Sequence, residues 1–162
     1  MGDENIIILS DGTGNAAAKV WRTNVWRTFE SIDLSQPDQM AHYDDGVGTS
    51  SFKPLALLGG MFGYGLKHNV IDCYKFVCRC YQKGDRIYGF GFSRGAYTIR
   101  VVTKLILSQG LVEYHNNEAD LHRCAIAAYR AFRKANASTI WHIEEPFRLL
   151  RDFHFTYEIR FP

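Results

Sequence analysis

Gly91-Phe92-Ser93-Arg94-Gly95 places a serine hydroxyl between two glycines, the pattern of a nucleophile held on a sharp turn between a strand and a helix. Gly91 and Gly95 would let the backbone turn without side-chain collisions while the hydroxyl projects from the carboxyl edge of a sheet. The backbone N–H of Arg94 would open the following helix and supply one donor to a developing oxyanion. A second donor is expected from the loop after an earlier strand. Asp11-Gly12-Thr13-Gly14 is the candidate, through the N–H of Gly12 or Thr13, because glycines admit a close substrate. An ordinary turn between a strand and a helix would have the same composition. The chemistry is acyl transfer to water, with a base to take the serine proton and a carboxylate to orient that base. It calls for no cofactor and no metal.

Other chemistries fit these residues less well. An aspartyl nucleophile of the phosphatase type needs two aspartates flanking one residue, and Leu9 stands where the first would be before Asp11. No G-K-[ST] completes a phosphate-binding loop, and Gly60-x-x-Gly63-x-Gly65 runs in the wrong order for a dinucleotide fingerprint. Cys73, Cys78, Cys80 and Cys124 match neither paired zinc ligands nor a dense disulfide framework, so reduced thiols on helices are expected.

Positioning Ser93 requires a sheet. Asn5–Ser10 is a largely β-branched run that stops at Asp11-Gly12, as a strand buried on both faces does. Helical spacing follows from about Val20 to Ile32 through Trp21, Val25, Phe29 and Ile32, and Asp33 and Pro37 close it. A strand is expected at Met40–Tyr43, a helix from about Leu66 to Tyr81, a turn at Lys83-Gly84-Asp85 and a strand from Arg86 into the serine motif. Ala96, Ile99, Val102, Leu105 and Ile106 mark a helix ending at Gly110, and Leu121–Arg133 marks another. A short helix at Pro146–Arg151 and a strand at Phe153–Phe161 would follow. Strands alternating with helices predict a doubly wound, mainly parallel α/β sheet in one domain.

The balance of 19 basic and 17 acidic residues, net charge +2, offers no field to attract nucleic acid or an anionic membrane. With 46% hydrophobic and 22% charged residues in 162, one buried core is expected. The acidic start Met1-Gly2-Asp3-Glu4 and the short run Ile6–Leu9 do not make a signal peptide, so a cytoplasmic location is expected, with export by a specialised secretion system left open. The longest apolar glycine-rich stretch, Leu55–Leu66, is too short to span a bilayer; core packing or part of an acyl-binding lid would each explain it.

Several long segments together resemble the α/β-hydrolase family of unknown function number 2235, which is grouped with the phospholipase effector catalytic domain of type VI secretion systems. They are Ile6 to Asn15, Thr23-Asn24-Val25, Tyr43-Asp44-Asp45-Gly46-Val47-Gly48-Thr49, and Gly84 to Ala96, within a resemblance covering roughly residues 5–135. The resemblance implies a serine hydrolase acting on carboxylic esters, with phospholipids as substrates in the secreted members. It puts Ser93 in the nucleophile's position, with Asp11, Asp44 and Asp45 in supporting loops and a triad in the chain order Ser, Asp, His.

The family's acid closes a strand of the pattern apolar-apolar-Gly-Val-Trp-Asp, whereas the corresponding stretch here reads Phe153-His154-Phe155-Thr156-Tyr157-Glu158-Ile159-Arg160. Downstream of Ser93 stand Asp120, Asp152, His115, His122, His142 and His154, for which surface or core-edge roles are expected. The chain is therefore expected to be truncated before the later strands, with a sheet edge open to self-association. Two functions follow: an esterase or lipase-like hydrolase with Ser93 as nucleophile, or a catalytically inactive fragment serving at most as a binding module.

Overall fold

A computed structural model describes residues 4–12, 22–46 and 61–136. Three strands, β1 (Asn5–Ser10), β2 (Gln39–Asp44) and β3 (Arg86–Gly91), form a parallel sheet in the order β2-β1-β3. The register pairs Asn5 with Gln39 and Arg86 at one end, and Ser10 with Asp44 and Gly91 at the other. The carboxyl ends of all three strands therefore lie side by side. Each strand falls where the apolar runs predicted it.

Four helices complete the described chain: α1 (Asn24–Ser31), α2 (Met61–Cys80), α3 (Arg94–Gln109) and α4 (Glu118–Ala135). The alternation of β1 sends its side chains to two cores. Ile6 and Ile8 pack with Val70, Tyr74, Val102 and Leu105 of α2 and α3, and α4 adds Leu121, Ala125 and Phe132. Ile7 and Leu9 pack on the opposite face with Val25 and Phe29 of α1 and with Tyr43 and Tyr88. Helices thus cover both faces of a mixed α/β fold, and β1 is the central strand of the described sheet. Burying each such Ile or Leu contributes about 1.5–3 kcal/mol.

Helix ends differ from the periodicity in three of the four helices. α1 begins at Asn24 rather than Val20, because Thr23 is extended and its hydroxyl caps the helix by accepting from the Trp26 N–H at 3.1 Å. α2 begins at Met61 rather than Leu66, so Gly63 and Gly65 lie inside a helix despite their poor propensity. Residues 61–66 are thereby the first turns of α2; residues 55–60 of the apolar stretch lie outside the described residues. α3 ends at Gly110, whose φ of +73° is the left-handed value glycine tolerates. α4 runs a few residues beyond the expected span, capped by the Asn117 side chain.

The turn at Lys83-Gly84-Asp85 has a structural purpose. The buried Asp85 carboxylate accepts from the N–H groups of Gln82 and Glu4, fastening the start of β1 to that of β3. All four cysteines are free, Cys73 and Cys78 buried and the other two partly so, and burial pushes the Cys78 thiol up to about 11. Among the described residues no helix is long and apolar enough to cross a membrane. Among them too, β2 and β3 each have one strand neighbour. The segments expected at 146–151 and 153–161 lie outside the described residues.

Candidate active site

Ser93 sits at the junction of β3 and α3 with φ 54° and ψ −119°, one of two non-glycine residues of positive φ among those described. A non-glycine residue held in such a conformation costs about 1–3 kcal/mol and persists only when its surroundings impose it. The imposing contacts are backbone contacts. The Phe92 N–H donates to the Ser10 carbonyl at 3.1 Å, and the Gly95 N–H to the Phe92 carbonyl at 2.9 Å. A Cβ on Gly95 would stand 2.0 Å from the Ser10 carbonyl oxygen, and one on Gly91 would stand 2.6 Å from the Ala96 backbone. Both motif glycines are therefore required by close approach, not merely by the turn.

Ser93 is exposed, and although it occupies the cap position of α3 its side chain makes no capping hydrogen bond. Next to it, Arg94 is the first residue of α3, so its N–H lies at the positive end of the helix dipole. Burial pulls the Arg94 guanidinium below its ordinary range, and the charge of Asp44 works against that shift.

The ends of β1 and β2 carry a polar network. Asp11, 1% exposed, accepts from the Gly12 N–H at 2.7 Å, the Tyr43 hydroxyl at 2.8 Å and the Thr23 hydroxyl at 2.5 Å. Burial and then the bond to Asp11 raise the Tyr43 phenol, which stays a donor. Asp44 accepts from the Ser10 hydroxyl at 2.7 Å, the Asn69 amide at 2.6 Å and the Gly46 N–H at 3.2 Å, while its carbonyl accepts from the Asp11 N–H at 2.8 Å. Asp45 is exposed beside them.

This arrangement bears on the second oxyanion donor. The Gly12 N–H is turned onto its neighbour's carboxylate rather than presented to a substrate, and Thr13 lies outside the described residues. Thr23, Tyr43, Ser10 and Asn69 are partners that no local motif announced, since each meets its aspartate only across elements. The one sequence hint is that Ser10, Asp11 and Asp44 are polar where apolar strands end. An open cleft of about 670 Å³ lies beyond β2, lined by Trp26, His42, Asp44, Asn69 and Asp72 among others, but not by Ser93.

Three of the histidines and aspartates downstream of Ser93 are among the described residues. His122 is an exposed residue of α4, Asp120 pairs with Arg123 on the same helix, and the exposed His115 lies 3.8 Å from Glu113. These are the surface roles expected of them. Asp152, His142 and His154 lie outside the described residues.

Comparison with known proteins gives a family for this geometry. An uncharacterized protein of Saccharomyces cerevisiae, YEL023C, is 31% identical over an alignment of 129 residues that covers 68% of this chain. The chain spans only 19% of that relative's length. No solved structure matches. The family model described as "T6SS, Phospholipase effector Tle1-like, catalytic domain" matches residues 4–153. The chain that presents Ser93 on this turn therefore belongs to the family of Tle1-like phospholipase effector catalytic domains of type VI secretion.

Proposed function

We propose that this chain is the nucleophile-bearing part of an α/β-hydrolase-type serine hydrolase that cleaves carboxylic esters of lipids. The observation carrying this reading is the strained, exposed Ser93 at the strand-to-helix junction, its hydroxyl uncommitted to capping and its turn imposed by Gly91 and Gly95. The Ser93 hydroxyl adds to the ester carbonyl and yields its proton to a base while the Arg94 N–H stabilises the oxyanion. The C–O bond then breaks, the alcohol leaves with that proton, and water releases the acid from the acyl-serine. A phospholipid class of substrate is supported by the family alone. The test is labelling of the purified chain by a fluorophosphonate probe. Labelling that vanishes in Ser93→Ala is the expected result; a folded chain that never labels overturns it.

A second reading, a catalytically inactive binding module, has its own support. The Gly12 N–H is already taken by Asp11, Asp120 and His115 face other side chains, and His122 is exposed on α4. A serine without a base is a weak nucleophile. Absence of labelling in a folded chain selects this reading.

A further inference from the structure

We propose that Asp44 is a positioning residue for the Ser93 turn, acting through Ser10; this rests on Ser93 being the nucleophile. The turn is seated on one short piece of backbone. The Ser10 carbonyl receives the Phe92 N–H, and it is also the group into which any Gly95 side chain would run. What holds that carbonyl in place is Asp44. Its carboxylate takes the Ser10 hydroxyl, and its carbonyl takes the N–H of the next residue, Asp11, so the peptide on either side of the Ser10 carbonyl is fastened to one residue of the neighbouring strand.

Asp44 is itself braced from two elements. The Asn69 amide of α2 shares the oxygen that holds Ser10, and the Gly46 N–H occupies the other oxygen. Gly46 has φ +77°, and a side chain there would meet the Gly12 carbonyl at 2.7 Å, so the loop after β2 closes directly onto the loop after β1. The same carboxylate acts electrostatically on the Arg94 guanidinium, one residue beyond the nucleophile. Asp44 therefore addresses the turn from both sides without touching Ser93. A misplacement of the nucleophile by about 1 Å can slow such a reaction about 100-fold.

The test uses four chains, wild type, Asp44→Asn, Ser10→Ala and the double variant, with two measurements. One is fluorophosphonate inactivation kinetics; the other is hydrogen exchange of the Phe92 amide against amides of α4. Asp44→Asn is expected to lower the maximal inactivation rate about tenfold with probe affinity unchanged. It should also accelerate Phe92 exchange while leaving α4 protected. Ser10→Ala should act in the same direction, and the double variant should be no worse than Asp44→Asn alone. Unchanged Phe92 exchange and rate in folded Asp44→Asn, or two effects that simply multiply, overturns the proposal. Should Asp44→Asn fail to fold, an unaltered Ser10→Ala overturns it equally. If wild type never labels, the nucleophile reading falls, and Phe92 exchange still decides whether Asp44 holds the turn.

Discussion

Ser10 and Ser93 are the same residue type at the ends of adjacent parallel strands, and the fold treats them in opposite ways. Ser10 is fully buried, extended, and gives its hydroxyl to Asp44. Ser93 is exposed, forced to positive φ, and gives its hydroxyl to no cap. A hydroxyl spent inside a satisfied network stabilises and orients. One held out of such networks at a conformational cost is available for chemistry. Burial and hydrogen-bond satisfaction therefore separate a scaffold serine from a candidate nucleophile, where residue identity does not.

The contrast can be attacked first where the Ser93 turn rests on the Ser10 carbonyl. Gly95→Ala places a Cβ against the Ser10 carbonyl, a backbone atom with nowhere to move, and should cost about 3 kcal/mol. Urea unfolding measures this, and a variant as stable as wild type would mean that the seat of the turn is soft. The serines themselves come next. Ser10→Ala removes one of two donors from an Asp44 oxygen and should cost about 1 kcal/mol, whereas Ser93→Ala should change stability by less than about 0.5 kcal/mol. Equal losses in thermal melts would erase the distinction.

The smallest effect concerns carboxylates. Asp11 and Asp44 are held by neutral donors, whereas Glu118 lies in solvent, where the Arg79 guanidinium binds it through two hydrogen bonds of 2.5 and 2.9 Å. That bonding to Arg79, helped by Tyr114 and opposed by burial, lowers Glu118 from an ordinary 4.5 to about 2. A folded-state value below the unfolded one stabilises above pH 4.5 and is lost as pH falls toward 2. Glu118→Gln should therefore lower the melting temperature slightly at neutral pH, and the difference should close by pH 2. A gap that widens in acid would reverse the sign of this linkage.

Much of the framework was legible in the sequence, because strands and helices write themselves as local patterns. The β-branched run of β1, the turn at Gly84 and the glycine-flanked serine each depend on neighbours within a few residues. Helix starts were less legible: Thr23 stops helical geometry by capping, and α2 runs through Gly63 and Gly65 against their propensity. The network that fixes the site was illegible for a different reason. Asp11 meets Thr23 and Tyr43, and Asp44 meets Ser10 and Asn69, only once two strands and two helices have come together. No period in the chain encodes that convergence. The bond from the Gly12 N–H to the Asp11 carboxylate is likewise invisible in composition.

The central place of β1 also sets a schedule for synthesis. Parallel pairing obliges each neighbour to arrive by a crossover, and the partner on one side, β3, begins 81 residues after β1 does. Ile6 to Leu9 leave the ribosome first, yet their cover on both faces and both edges is complete only when α3 has emerged. At about 5–20 residues per second, that leaves several seconds in which a sticky run of four apolar side chains depends on chaperones or on the speed of elongation. Rare codons between Asp44 and Arg86 would lengthen that exposure, and the yield of folded protein should fall with them.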